Sequence, residues 1–463
     1  MAISELQLSP FGTRARFVVL MIVLLCLSCI WSNILTFNFA VICHDRTNQT
    51  GTVSFTSTEQ KYSISIVAVA AMLANFPILS LINKHGIRTI FGVAGLASAI
   101  ATLCIPLAIR TNFYLFLGLR FIQGLAFACN MPVIGAFCSR WTYYKQNGLF
   151  VAVLVAYLQI APAFTNPVSG ALCQAYGRRS IFYFQGAVSL IVFCVFGLFY
   201  RNNPRKHPFV NDIEKDKIEI GKPTAVDKKE LQKVPYAAIL KTPAIWAVWV
   251  ASIGNFTVIN LIFLYSPIYL SKVLGYSISH TGFTAALAPL AQACMKIFIG
   301  QLSDKIKFIS EVWKLRMFNS IAFFGCFTLL CLLSFTDPNT QVANMKLSLL
   351  LFGAAGGIVG ANTGGFFRAG PVLSRQYSHF VTGNISLGIT ITMFLVPFVV
   401  GPLTPGNTPE EWRVVFMTLG GVMAICNVIF CIFVRGEPCE WTKADTIAPN
   451  AVQPMQTVEA RKF

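Results

Sequence analysis

Two residues in this chain, Arg120 and Lys296, place a full positive charge well inside a long apolar run rather than at its edge, and no Asp or Glu lies within any such run. An ionisable group at membrane depth costs several kcal/mol unless it faces protein or a water-filled cavity. Two cations with no buried acid to neutralise them imply an internal path that favours anions. The planar fork of Arg120 suits a carboxylate or phosphate. The competing reading is a structural Arg bonded to carbonyls and amides of neighbouring helices. Lys296 sits eight residues before Asp304, about 12 Å along a helix at 1.5 Å per residue. Its stem is therefore long enough to snorkel toward water without lining a site.

Uncharged polar residues supply the rest of a candidate site. Asn33, Thr36 and Asn38 share the first apolar run, and Asn255, Thr257 and Asn260 share the seventh. Gln159, Asn166, Gln292, Asn362 and Thr363 fall in the fifth, eighth and tenth. Asn and Gln can donate to carboxylate oxygens or accept from hydroxyls. The plainer role for each is a bond between helices, worth about 0.6 kcal/mol on average. Of these, Asn38 and Asn260 are the strongest ligand candidates, with Thr36 and Asn255 beside them.

The elements that must hold these groups are membrane helices. With 55% hydrophobic and 12% charged residues, the composition lies outside the soluble range. Runs of about 20 apolar residues fall at roughly 17–43, 62–83, 89–109, 112–138, 148–175, 180–200, 244–270, 280–301, 317–335, 345–367, 379–402 and 412–434. Backbone at that depth must satisfy its own hydrogen bonds, so these twelve spans are expected to be helices. The net charge of +18 is not a nucleic-acid signal, because the bases gather in alternate loops. They run from Arg14 and Arg16 through Lys84, Arg88, Arg140 and Lys145 to the long loop from Arg201 to Lys241. Lys305, Lys307, Lys314, Arg316 and Arg435 continue the series, with Arg178 and Arg179 on the other side as a minor exception. This positive-inside pattern puts both termini in the cytoplasm.

The expected layout is a cytoplasmic N-terminus (1–16), a six-helix bundle (17–200), a cytoplasmic linker (201–243), a second bundle (244–434) and a cytoplasmic tail (435–463). Asn48-Gln49-Thr50 is a glycosylation sequon in the first outer loop, the side where glycans are added. The fourteen cysteines show no metal-ligand spacing, and no metal or resident cofactor is expected. Cys43, Cys104 and Cys173 fall near outer helix ends, so one bridge among them is geometrically open. Reduced, packed thiols are the expectation. None of the five histidines, His44, His85, His207, His280 and His379, sits at mid-membrane as a proton relay.

The two halves carry a weak repeat. Asn83-Lys84 at the end of the second span falls on Asp304-Lys305 at the end of the eighth. Parallel repeats of six helices with a site at their interface describe one large transporter architecture. Gly300-x-x-x-Asp304-Lys305 resembles the loop signature of the major facilitator superfamily, in which Gly would permit close helix approach and Asp would latch a gate. The first copy has Leu79 and Asn83 there, so its charge latch is absent or weakened, leaving Lys84. Arg120-Phe-Ile-Gln123-Gly124 resembles a second signature of that superfamily.

A narrower resemblance is to the anion-transporting branch that includes sodium–phosphate cotransporters, sialin and the vesicular glutamate transporters. Asn203-Pro204-Arg205-Lys206-His207-Pro208-Phe209-Val210 is similar to that branch's Pro-x-x-His-Pro segment. Val234-Pro235-Tyr236, Pro267-Ile268-Tyr269, Leu274-Gly275-Tyr276, Gly365-Phe366 and the stretch from Glu410 to Phe416 follow in order. Functional positions depart: Thr36 stands where the glutamate and sialate carriers have a first-span Arg, and Phe127 where they have an acid. Asn255 and Asn260 occupy the seventh-span Arg or aromatic positions, and Pro77-Ile78-Leu79 replaces Pro-Gly-Gly. Arg120 alone carries over as a substrate-site residue, which argues against a glutamate carrier.

The resulting expectation is an all-helical secondary transporter, not an enzyme, working as a single chain. It would move a small organic anion or phosphate by alternating access, in the plasma membrane or a vesicle or lysosome membrane. Without a buried Asp, Glu or His, coupling to Na+ or H+ is not evident, and membrane potential or anion exchange is the expected drive. Two other readings stay open: a carrier of neutral solutes on the same scaffold, and a receptor that binds ligand without flux.

Overall fold

The computed structural model describes residues 14–43, 55–142, 146–219, 235–306, 308–336 and 342–442. Eleven of its helices are long and apolar enough to cross a membrane, and a twelfth qualifies as one bent span. They are α1 (Ala15–Ala40), α2 (Ser57–His85), α3 (Ile87–Thr111), α4 (Phe113–Trp141), α5 (Gly148–Tyr176), α6 (Arg178–Phe199), α7 (Pro243–Val273), α8 (Ile278–Ser303), α9 (Glu311–Ser334), α10 (Asn344–Ser374), α11 (Phe380–Leu403) and α12 (Pro409–Phe433). Helix α2 bends by 56° between Asn75 and Pro77. Proline cannot donate to the carbonyl one turn back, and its ring crowds that turn. No strand occurs among the described residues.

The packing repeats itself six helices later. In the first bundle α3 packs on α6 and α4, α1 on α5 and α6, and α2 on α4; α9, α7 and α8 repeat this with α12, α10 and α11. The bundles meet through α2 against α11 and α5 against α8, two contacts that the repeat exchanges. At α5 and α8 the backbones touch: a Cβ on Gly282 would lie 2.5 Å from the Asn166 carbonyl oxygen, and one on Gly170 would lie 3.1 Å from Gly282 Cα. Lys61 of α2 reaches α11 beside them, its ammonium 5.2 Å from the Phe398 ring. These contacts zip the bundles together at one end.

That end also carries a Cys43–Cys173 disulfide, with Cα atoms 6.0 Å apart, joining the exit of α1 to α5. The expectation of reduced thiols is corrected at this pair, while Cys104 stays free. Helix ends differ from the apolar runs too. Helix α9 begins at Glu311 and α10 continues to Ser374, because apolar runs mark the hydrocarbon core and not the turns beyond it. Lys314, Arg316 and Arg368, read as loop or beyond the span, therefore lie on helices.

At the opposite end the linker folds back on the first bundle. Its short helix, Asp212–Glu219, presents Glu214, which is fully buried. The Glu214 carboxylate accepts from the backbone N–H groups of Ala15 and Arg16 at 3.2 and 3.0 Å. A carboxylate thus caps the positive end of α1 from almost two hundred residues away. His207 is buried beside Trp141, Phe199 and Phe209. Its Nε2 lies 3.1 Å from the Phe199 carbonyl, and its Nδ1 accepts from Phe209 N–H at 3.2 Å.

Candidate functional site

Helix α4 carries Arg120 into the centre of the first bundle, where it is fully buried. Nε donates to the Ser63 carbonyl of α2 at 3.1 Å, and Nη1 to the Ile34 carbonyl of α1 at 3.2 Å. Nη1 also donates to Gln123 Oε1 at 2.8 Å, one helical turn along. The guanidinium carbon lies 4.9 Å from the Phe37 ring centre. Nη2 alone has no hydrogen-bond partner among the described residues.

Gln123, one turn beyond Arg120 in the same signature, passes the network on. Its Nε2 donates to Thr102 Oγ1 at 2.8 Å and to the Asn33 carbonyl at 3.3 Å. Asn33 in turn donates to Ser98 and accepts from Ser189. Gly124 completes the signature, because a Cβ there would lie 2.3 Å from the Val67 carbonyl oxygen of α2. Arg120, Gln123 and Gly124 therefore fasten α4 to α1, α2 and α3, with one guanidinium nitrogen left over.

Other candidates on α1 divide. Thr36 is buried and spends its hydroxyl proton on Ser32 O one turn back at 2.8 Å, leaving only acceptor capacity. Asn38 is 2% exposed, and neither its Oδ1 nor its Nδ2 has a partner among the described residues. An unpaired buried amide costs about 1–3 kcal/mol, which a bound ligand would recover.

The second bundle mirrors this with amides. Asn362 Nδ2 donates to Asn255 Oδ1. Asn260 Nδ2 donates to the Ile389 carbonyl at 3.1 Å and to Thr392 Oγ1 at 2.9 Å. Asn255 Nδ2, Asn260 Oδ1 and Asn362 Oδ1 remain unpartnered among the described residues. The Lys296 ammonium lies 5.6 Å from the Phe367 ring centre, a cation–π contact, and none of the described residues gives it a hydrogen bond or ion pair. Between the bundles, Gln159 Nε2 of α5 donates to Gln292 Oε1 of α8 at 3.0 Å. Arg120, Thr36 and Asn38 thus belong to one bundle and Lys296, Asn255 and Asn260 to the other, with a neutral amide pair bridging them.

The gating residues behave differently from their sequence logic. No helix presses on Gly300, where a Cβ would meet nothing nearer than Thr363 Cγ2 at 3.9 Å; close approach is met instead by Gly356, Gly357 and Gly360 of α10 against α8. Lys84 and Lys305 are exposed, and the side chain of Asp304 lies outside the described set, as does the sequon at Asn48. Beside Asp304, Ser303 accepts from Arg368 Nη1 at 3.2 Å. Arg368 Nε lies 3.4 Å from Glu311, which also pairs with Lys314. Sequence reasoning missed this cluster because it ended α10 before Arg368. In the first bundle the start of α3 is tied to the end of α6 instead, the Arg88 guanidinium donating to the Gly197 carbonyl at 2.7–2.9 Å and Asn202 Oδ1 accepting from Arg88 N at 2.9 Å. Gly86, at φ +83°, makes room for it: a Cβ there would lie 2.3 Å from Asn202 Nδ2. No cluster of three His, Cys, Asp or Glu that could hold a metal occurs among the described residues.

Comparison with known proteins agrees with this architecture. The sequence matches the Major Facilitator Superfamily over residues 16–371. It is 27% identical to sheep (Ovis aries) sialin over 78% of this chain and 72% of that protein. It is 24% identical to a putative inorganic phosphate cotransporter of Drosophila melanogaster, covering 85% of this chain and 75% of that one. In fold it is similar to a bacterial homologue of the human lysosomal transporter Spinster, solved inward-facing and occupied. That likeness has a TM-score of 0.68 at 13% identity, covering 91% of this chain and 97% of the other. The chain therefore belongs to the major facilitator superfamily, resembles its anion-transporting branch, and is a membrane transporter, not an enzyme.

Proposed function

We propose that this transporter carries a small organic anion or inorganic phosphate through a site shared between the bundles. The observation that carries the reading is a charge imbalance. Among the described residues the acids on the membrane helices, Glu59, Glu311, Glu410 and Glu411, sit in a first turn and Asp304 lies just past the end of α8, whereas Arg120 and Lys296 lie deep. Arg120 Nη2 and the Lys296 ammonium are the donors we assign to the anion, with Asn38, Asn255, Asn260 and the Thr36 oxygen around it. An anion held between opposite bundles gains contacts only when both close on it, which couples binding to rocking. Names borne by relatives, sialin and an inorganic phosphate cotransporter, fit the same chemical class.

With no carboxylate at depth to carry a proton or hold sodium, membrane potential or anion exchange drives transport in this reading. Both termini face the cytoplasm: the basic loops mark one face, and the Cys43–Cys173 bridge suits an oxidising compartment at the other. The zipped end is then the outer one, which leaves the inner end to admit and release the solute in this conformation. A plasma membrane or a vesicle or lysosome membrane meets these conditions, and a single chain contains the whole site.

The test is uptake of labelled phosphate, monocarboxylates and size-matched neutral solutes into proteoliposomes, comparing wild type with Arg120→Ala. Anion uptake that collapses in the variant supports the reading. Uptake of a neutral solute that is unchanged by the substitution overturns it.

A further inference from the structure

On the flank of the second bundle that faces away from the first, α9 and α12 enclose a groove of about 610 Å³. Its lining is Ile309, Trp313, Arg316, Met317, Ser320 and Cys431. The groove lies at the basic end of the molecule, where α9 starts and α12 finishes. Trp313 is 63% exposed at its rim, the placement of an indole at a membrane–water interface. The Arg316 guanidinium carbon lies 5.7 Å from the Trp313 ring centre, and its Nε is buried without a hydrogen-bond partner among the described residues. The nearby acid is already engaged: Glu311 pairs with Lys314 and Arg368. Arg316 therefore presents an uncompensated charge and an unused donor above an apolar trough.

A second groove, of about 280 Å³, flanks the other side of α12 with the same design. Lys241 and Trp246 stand at its rim, and Val250, Ile429 and Phe433 form its wall. Two cation-and-tryptophan grooves on either side of one helix terminus place a charge and an indole above an apolar wall, the chemistry of a headgroup over acyl chains. Free phosphate would use the cation but not the apolar wall.

We propose that the α9–α12 groove is a binding site for an anionic phospholipid, whose phosphate bonds Arg316 beneath Trp313 and whose acyl chain lies along Met317 and Cys431. Charge complementarity selects the headgroup, since anionic lipids populate the leaflet that basic termini face. The occupant is independent of the transported solute, so this assignment stands whatever that solute is.

Native mass spectrometry of the purified full chain, with phosphatidylglycerol and phosphatidylcholine added in turn, tests it. Wild type should retain phosphatidylglycerol preferentially. Arg316→Gln should lower that retention by about fivefold, the equivalent of the ~1 kcal/mol a basic residue is worth against anionic lipid. Arg316→Lys should keep most of it and shows that loss in Arg316→Gln is not misfolding. Trp313→Leu should weaken retention of both lipids. Equal retention of the two lipids by wild type, or unchanged retention in Arg316→Gln, overturns the proposal. So does displacement of the lipid by millimolar inorganic phosphate, which would assign the cation to a free ion.

Discussion

Replacing Gly282 by Ala should hold the outer end of the transporter open. In the structure a Cβ at this position would sit 2.5 Å from the Asn166 carbonyl oxygen and 3.1 Å from Gly170 Cα. Carbon and carbonyl oxygen stay at least about 3.3 Å apart even in a favourable C–H···O contact, so α5 and α8 must separate by roughly 0.8 Å or more. Both neighbours are backbone, and neither can rotate away. Overpacking of this kind costs about 1–3 kcal/mol, and only the closed conformation bears it. The equilibrium should move about 5- to 150-fold toward the outward-open state. Spin labels at Tyr176→Cys and Phe283→Cys, both exposed near this contact, would read it as a longer α5–α8 distance. Cys104, Cys194 and Cys294, which are free and exposed, are replaced by Ser in that background. Gly170→Ala, whose nearest atoms lie at 3.1 Å, should shift the distribution less. An unchanged distance in Gly282→Ala would refute the argument that this contact is the outer gate.

Other perturbations test the first bundle and the linker. Arg120→Lys keeps the charge but cannot span Ser63, Ile34 and Gln123 at once; with interhelical bonds worth about 0.6–1.7 kcal/mol each, stability should fall by roughly 1–3 kcal/mol. A lowered Tm together with a raised KM for the anion is the expected pair of readings, and an unchanged KM would leave Arg120 a fastener only. His207 is held below its ordinary value by burial, against the opposing pull of the Phe199 carbonyl and with help from Arg201. The undocked linker therefore binds the proton more readily, so the His207 contribution to docking is fully present above about pH 6.5 and diminishes as pH falls below it. Amide exchange at residues 203–210 should quicken between pH 7.5 and 5.5, and pH-independent protection after correction for intrinsic exchange would contradict this.

Much of the architecture is legible in the chain itself, because a helix in lipid must be long, apolar and internally bonded. Arg120 and Lys296 stand out for the same reason, as charges are conspicuous in apolar runs. What the sequence hides is partnership across distance. Nothing near Ala15 announces that Glu214 will cap it, and nothing near Cys43 names Cys173, 130 residues away. The role of Gln123 was equally silent, since an amide one turn from an Arg reads as solvation until Thr102 and Asn33 close around it. Gly300 shows the opposite error, in which a motif's usual logic predicts a close contact that the packing places on Gly356, Gly357 and Gly360.

In the proposed mechanism a net negative charge crosses through a site with no acid at depth. That crossing is tested most directly in proteoliposomes at equal pH on both sides and without sodium. Valinomycin and a potassium gradient set an inside-positive potential while uptake of labelled anion is followed. Accumulation should rise with the potential and stop when it is clamped at zero without counter-anion. Accumulation that ignores the potential and requires a proton or sodium gradient would contradict this mechanism.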